Sequence, residues 1–189
     1  VKRTGLHLVS PAPVSEAALI DRARAGDREA QEVLVRQHLR DVYAVAFRLL
    51  GDRDLAEDAS QDAMLNALGA LDRFRGASSF RTWLLRIAMN SALSIGRRRT
   101  RRRELSLVTD EHDVAAGEDD AESAATTRFE AARAAEQLKR LPPKQRAAVE
   151  LRVNQGLSFA EVGEVLDCSE GAARVNYHLG IKRLRELMQ

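Results

Sequence analysis

A single cysteine, Cys168, in 189 residues leaves no possibility of an internal disulfide. No second Cys and no His cluster stands at zinc-ligand spacing, so no metal or other cofactor is expected. A reducing cytoplasm is the natural compartment. No apolar run approaches the roughly 18 residues of a membrane span, and the N-terminus lacks a signal-peptide pattern, so a soluble protein without membrane insertion is expected. Strand-like alternation is missing throughout, which points to an all-α fold. There is no nucleophile with a base and an orienting acid, no Gly-rich phosphate loop and no metal cluster, so the chain does not read as an enzyme. The net charge is only +2, but it hides a segregation. Arginines run from Arg97 to Arg103, and Asp110, Glu111, Asp113, Glu118, Asp119 and Asp120 follow.

The stretch that organises the chain is Phe80 to Arg103, FRTWLLRIAMNSALSIGRRRTRRR. Phe80, Trp83, Leu84, Ile87 and Ser91 follow helical spacing and form a buried stripe, while Thr82, Arg86, Asn90 and Arg97 fall along a polar face. Asn can hydrogen-bond a base edge, Arg can grip phosphate or guanine, and rings can stack on unpaired bases. Rings at this spacing also serve as plain core, and an arginine run also suits the negative end of a helix dipole. Both readings stand on these residues alone.

Residues 1–14, with Pro11 and Pro13, carry no periodicity and read as a flexible tail. Ser15 caps a short helix with Leu19, Ile20 and Ala23, and Asp27 caps a second that runs to Leu50, where Gly51 stops it. Asp54 and Glu57 have the form of a capping box for a third helix. That helix turns Asp58, Gln61, Asp62 and Leu65 outward as an acidic strip with an apolar edge. The loop at 71–79 brings Phe74 and Arg75 to the start of the organising helix, which Ser78 or Ser79 can cap. Residues 15–103 thus form one helical unit, and 104–127 reads as a flexible acidic linker.

A second unit, 128–189, begins with a helix containing Phe129 and Leu138. Pro142 and Pro143 then open another with Ala147, Val149, Leu151 and Val153 as its apolar residues. Ser158 and Glu161 make a capping box for SFAEVGEVL, and a tight turn at Asp167, Cys168 and Ser169 leads into a last helix: a helix-turn-helix. Ala173, Tyr177, Gly180, Ile181, Leu184 and Met188 share its packing face. Ser169, Glu170, Arg174, Val175 and His178 face away, where a recognition helix reads a major groove, and Lys182 and Arg183 can hold phosphates.

The blocks ARAGDREAQEVLVRQHLRDVYAVAFRLLGDRDLAEDASQDAML, FRGASSFRTWLLRIAMNSALSIGRRR and LPPKQRAAVELRVNQGLSFAEVGEVLDCSEGAARV, in that order, resemble bacterial RNA polymerase sigma factors of the extracytoplasmic-function (ECF) group. The resemblance implies that the first unit is sigma region 2 and the second region 4. It further implies that Asp58, Gln61 and Asp62 dock core RNA polymerase. Phe74, Arg75, Phe80, Trp83, Arg86, Asn90 and Arg97 would recognise and melt the minus-ten element of promoter DNA, and the last helix would read the minus-35 duplex. An anti-sigma factor is an implied partner. Gly163 and Asp167 stand where the family more often has Ala and Gly, which implies looser packing of the turn. The rival reading is a helix-turn-helix transcription regulator that is no polymerase subunit; the Phe80–Arg103 stretch counts against it, because a reader of duplex alone has no need of it.

Overall fold

The computed structural model describes residues 15–105 and 136–188; the expected tail, nearly all of the expected linker and the first half of the Phe129–Leu138 helix lie outside the described residues. The elements are α1 (Glu16–Arg24), α2 (Arg28–Leu50), α3 (Arg53–Gly69), α4 (Phe80–Leu105), α5 (Pro143–Val149), α6 (Phe159–Leu166) and α7 (Glu170–Met188). A helical turn at 136–139 precedes α5, and a 3-10 turn at Leu71–Arg73 follows α3. Among the described residues there is no strand.

The caps explain where the helices begin. Ser15 Oγ accepts from the Ala18 N–H at 3.3 Å and Asp27 from the Ala30 N–H at 3.2 Å. A side-chain cap of this kind is worth about 1 kcal/mol. The cap of α3 is Asp52, which accepts from the Leu55 N–H at 3.2 Å, and not Asp54 as its spacing to Glu57 predicts. Gly51 decides this: at φ +65° it ends α2 in a left-handed turn, and the chain re-enters helix at once. At α4, Ser79 Oγ accepts from the Thr82 N–H at 3.0 Å.

Two apolar clusters hold the molecule. One lies inside the first unit and joins Leu19 and Ile20 of α1, Leu34 and Val42 of α2, Ala63 and Met64 of α3, and Phe80, Leu84 and Ala88 of α4. The other crosses between the units. Val45 and Leu49 of α2, Ala56 and Ala59 of α3, and Leu85, Met89 and Ala92 of α4 pack with Ala148, Leu151, Leu157, Val162, Val165 and Ala173. The two units therefore share a core, with α6 lying across α4.

Two residues expected to pack are instead exposed, Val153 at 57% and Met188 at 42%. After Val149 the helix widens into a π-type turn, Glu150–Asn154. This extra residue in the turn rotates the chain so that Glu150 and Leu151 face inward and Val153 outward. Met188 lies in the last turn of α7, beyond the packing stripe.

The helix-turn-helix forms as its spacing predicts. Glu161 Oε2 accepts from the Ser158 N–H at 2.8 Å while Ser158 Oγ accepts from the Glu161 N–H at 3.2 Å. Asp167 turns the chain at φ +53°, and Ser169 Oγ caps α7 through the Ala172 N–H at 3.2 Å. The turn is tight, contrary to the looser packing implied for it. A Cβ at Gly163 would stand 2.8 Å from the Cys168 carbonyl oxygen, and one at Gly180 would stand 2.8 Å from Val149 Cγ2.

Candidate nucleic-acid interface

The loop before α4 is pinned from below. Arg24 donates to the Leu71 carbonyl at 3.2 Å and also to the Phe74 carbonyl, so α1 fixes the backbone that presents Phe74 and Arg75. The Phe74 ring meets Phe80 edge-on at 5.5 Å between centroids and Trp83 at a tilt at 5.3 Å. Phe80, expected among the contacts, is 4% exposed and packs between His38 and Trp83. It belongs to the core that orients the other two rings. Arg73, Phe74, Arg75, Trp83 and Arg86 line one open cavity of about 370 Å³. An aromatic wall with a guanidinium rim can stack a flat base and hold the phosphates beside it.

The remaining residues of the polar face separate. Asn90 is exposed and lines a neighbouring groove of about 320 Å³ between α3 and α4, with Asp62, Asn66 and Arg98. Arg97 lines a third cavity, of about 830 Å³, with Leu49, Leu93, Arg101, Lys139 and Arg146. Thr82, placed by helical spacing on the open polar face, is 1% exposed. Its hydroxyl donates to Glu161 Oε1 of α6 at 3.2 Å and meets Ser79 Oγ at 2.8 Å. The structure thus brings Phe74, Arg75, Trp83 and Arg86 together, sets Asn90 next to them, leaves Phe74 only 9% exposed with its ring largely in the core, buries Phe80 and Thr82, and leaves Arg97 apart.

On α7, Ser169, Glu170, Arg174, Val175, His178, Lys182 and Arg183 are all exposed, as their spacing predicts. Arg174 pairs with Glu170 at 2.8 Å and lies 5.0 Å from the centre of the Phe159 ring, whose centre Arg152 also approaches at 4.9 Å. Phe159 therefore stiffens a guanidinium at the recognition face, a role sequence reasoning missed although the ring follows directly on the capping Ser158. On α3, Asp58, Gln61 and Asp62 are exposed beside Leu65, which is 69% exposed, while Ala56, Ala59, Ala63 and Met64 face the core.

Contacts between the units were also missed. Arg81 donates to the Gln155 carbonyl at 3.1 Å and to its side chain at 2.7 Å, and to Asp41 at 2.6 Å. Arg86 donates to Asp167 at 3.1 Å. Glu161 is held below the usual carboxylate range, first by the Ser158 N–H and hydroxyl and then by Thr82 and Arg81. No local pattern marks the pairs that cross between the units, because they join residues 74 to 81 positions apart.

The family profile described as Sigma-70 region 2 matches residues 34–103, and that described as Sigma-70, region 4 matches residues 131–184. Over 163 residues the chain is 34% identical to the RNA polymerase sigma-H factor of Pseudomonas aeruginosa, covering 82% of this chain and 84% of that protein. The chain belongs to the sigma-70 family. Within this family it is also 31% identical over 172 residues to the ECF RNA polymerase sigma-E factor of Escherichia coli strain K12, covering 85% of this chain and 87% of that one. Among solved structures, CnrH in complex with the cytosolic domain of CnrY is similar at 26% identity and a TM-score of 0.67, covering 92% of this chain and 96% of that one. The sigma factor RpoE of Bartonella quintana, solved with the anti-sigma factor NepR, shares the fold at 23% identity and a TM-score of 0.67, over 83% and 95% of the two chains. This sigma factor is accordingly of the ECF type, and directing transcription initiation is its function. Among the described residues no helix is long and apolar enough to cross a membrane.

Proposed function

We propose that this sigma factor docks core RNA polymerase through Asp58, Gln61 and Asp62, opens and holds the minus-ten element with Phe74, Arg75, Trp83, Arg86 and Asn90, and reads the minus-35 duplex with the outer face of α7. Residues 15–103 act as the region 2 unit and 128–189 as the region 4 unit. The chain adds no chemistry of its own: the polymerase catalyses. The observation that carries this reading is the arginine-rimmed aromatic cavity beside α4. Flipping a base out of a duplex costs a few kcal/mol, and stacking on a ring returns about 1–3 kcal/mol per base, so a pocket of this composition can trap a base once it is out. In this reading Arg174 contacts base edges, and Lys182 and Arg183 hold phosphates; their exposure on α7 supports it. Since a sigma factor of similar fold is found with an anti-sigma factor, a partner of that kind is proposed here as well.

The test is transcription by core polymerase on fragments of the source genome, with and without this chain, mapping RNA 5′ ends. New start sites that share two upstream elements support the reading. A chain that binds those fragments yet leaves core polymerase unchanged is a plain helix-turn-helix regulator. At a mapped promoter, Arg75→Ala with Asn90→Ala, both exposed, is expected to reduce permanganate reactivity of unpaired thymines while leaving the fold intact. Full opening by this variant refutes the minus-ten assignment.

A further inference from the structure

We propose that the cavity of about 830 Å³ between the C-terminal half of α4, the end of α2 and the start of α5 is a binding site for a nucleoside polyphosphate. It shares no lining residue with the cavity beside Phe74 and Arg86, so the minus-ten reading above does not depend on it.

Its floor is apolar, made by Leu49 and Leu50 of α2, Leu93 of α4 and Pro143 of α5. Around the floor stand Arg97, Arg99, Arg101, Lys139 and Arg146, and among the described residues no carboxylate lines it. Arg99 is neutralised from outside the cavity by Asp52 at 3.0 Å, and Lys139 by Glu136 at 2.8 Å. Arg97, Arg101 and Arg146 have no acidic partner among the described residues. Arg97 and Arg101 lie one turn apart on one face of α4, where like charges repel. Arg97 also stands about two turns before the end of α4, too far in to be favoured by the helix dipole. Arg146 is the least expected of the set: its Nε is buried without a hydrogen-bond partner, and burial alone holds its guanidinium below the ordinary pKa. Gly51 makes room for Lys139, because a Cβ there would stand 2.6 Å from Lys139 Cε; the lysine stem crosses bare backbone to reach the rim.

A guanidinium cluster without acids is completed by an anion, and a phosphate accepts from such groups in pairs of hydrogen bonds. Several phosphates in a chain match cations spread over two helices better than one phosphate does. The floor adds a second requirement, since an inorganic anion would leave Leu49, Leu50, Leu93 and Pro143 wet. A nucleobase covers such a floor and can stack on a guanidinium plane at the same time. The volume lies within the range of about 300–1,000 Å³ usual for small-molecule sites. Because the walls come from both units and exist only in the folded chain, a bound nucleotide stabilises the fold by mass action.

The test is isothermal titration calorimetry of the full chain in magnesium-free buffer at physiological salt, with ATP, GTP and inorganic tripolyphosphate as probes. One nucleotide per chain is expected, bound about tenfold tighter than tripolyphosphate, because stacking and apolar contact are open to the nucleotide alone. Arg97→Gln with Arg101→Gln, both exposed, is expected to weaken it about tenfold or more, as is Arg146→Met. Arg146→Met is also expected to leave the urea midpoint unchanged or higher, since it removes a buried unpaired group, so its loss of binding is not a loss of fold. If that midpoint falls, the exposed pair decides. Arg28→Gln with Arg40→Gln removes the same charge elsewhere on the surface and is expected to leave the affinity within about twofold. No saturable binding of either nucleotide overturns the proposal, and so does tripolyphosphate binding as tightly as the nucleotides or a control pair that loses as much as Arg97 and Arg101. A random-sequence duplex that loses as much affinity as the nucleotides on Arg97→Gln with Arg101→Gln assigns the face to DNA phosphates and overturns it too.

Discussion

Replacing Glu150 by Gln is expected to make this sigma factor more stable at neutral pH. Glu150 is 1% exposed, in the wide turn where the second unit meets α2. Asn154 Nδ2 donates to its Oε2 at 2.6 Å. Its Oε1 lies 3.2 Å from Arg48 Nε but off the direction of that N–H, so this contact is coulombic without a hydrogen bond. The Arg48 side chain is 44% exposed and shares its charge with water, so it recovers only part of what burying the carboxylate costs. Burial therefore dominates and holds the Glu150 carboxyl above the usual range, with Arg48 and Asn154 pulling it down. An acid raised in this way keeps its proton in the folded chain after the unfolded chain has lost it. Its contribution is thus fully present below the unfolded value and is lost as pH rises through the folded one. Gln keeps the size and the acceptor for Asn154 without the charge. The expected gain is about 1–2 kcal/mol near neutral pH, falling to nothing near pH ~4. Arg48→Met should cost about 1–3 kcal/mol at neutral pH, less than a fully buried pair because Arg48 is half hydrated, and little in acid. Urea unfolding of both variants and the double variant at the two pH values reads this directly, provided m is unchanged. A loss of more than about 1 kcal/mol for Glu150→Gln at neutral pH, or an Arg48→Met effect equal at both pH values, refutes the reasoning.

Three further expectations concern other faces. Asp58→Lys with Asp62→Lys should weaken binding to core polymerase without changing helicity by circular dichroism, and undiminished affinity would remove α3 from the docking surface. Arg174→Ala should cost about 1–3 kcal/mol at a preferred minus-35 site and relax one base position, whereas Lys182→Ala should weaken all duplexes alike and lower the salt slope by about one. Equal losses on unrelated duplexes would make Arg174 a phosphate contact. Gly180→Leu puts a branched side chain where even a Cβ lies 2.8 Å from Val149 Cγ2 and 3.2 Å from the Gln145 carbonyl oxygen, so a loss of about 1–3 kcal/mol is expected in urea unfolding.

What was legible in the sequence is what is decided locally. Ser15, Asp27, Ser79 and the Ser158–Glu161 box announce their helices because a cap needs only a side chain within three residues of the N–H it serves. The outward strips on α3 and α7 were legible because exposure needs no partner. Asp52 and Asp54 both suit a cap, and the position of the Gly51 turn chose between them. No residue type marks a π-type turn, so Val153 was assigned a place in the core that Glu150 fills. Thr82 failed as a surface residue because helical spacing gives relative angle on α4 but not which sectors are covered, whereas the same spacing put Phe80 on the buried stripe where it is found. α2 and α3 cover two sectors of α4, and α6, almost eighty residues downstream of Thr82, covers a third.

The joint between the units is a shared apolar core, in which Ala56, Ala59, Ala92, Ala147, Ala148 and Ala173 bring helices close beside larger residues such as Leu85, Met89, Leu151 and Val162. Its outer ion pair, Arg86–Asp167, is worth about 0–1 kcal/mol at this exposure. Moving a joint from almost wholly closed to almost wholly open takes about 5.5 kcal/mol of differential binding. The residues proposed to touch the polymerase, Asp58, Gln61 and Asp62, are exposed while the units are joined. Docking on α3, as proposed, therefore needs no prior separation of the units.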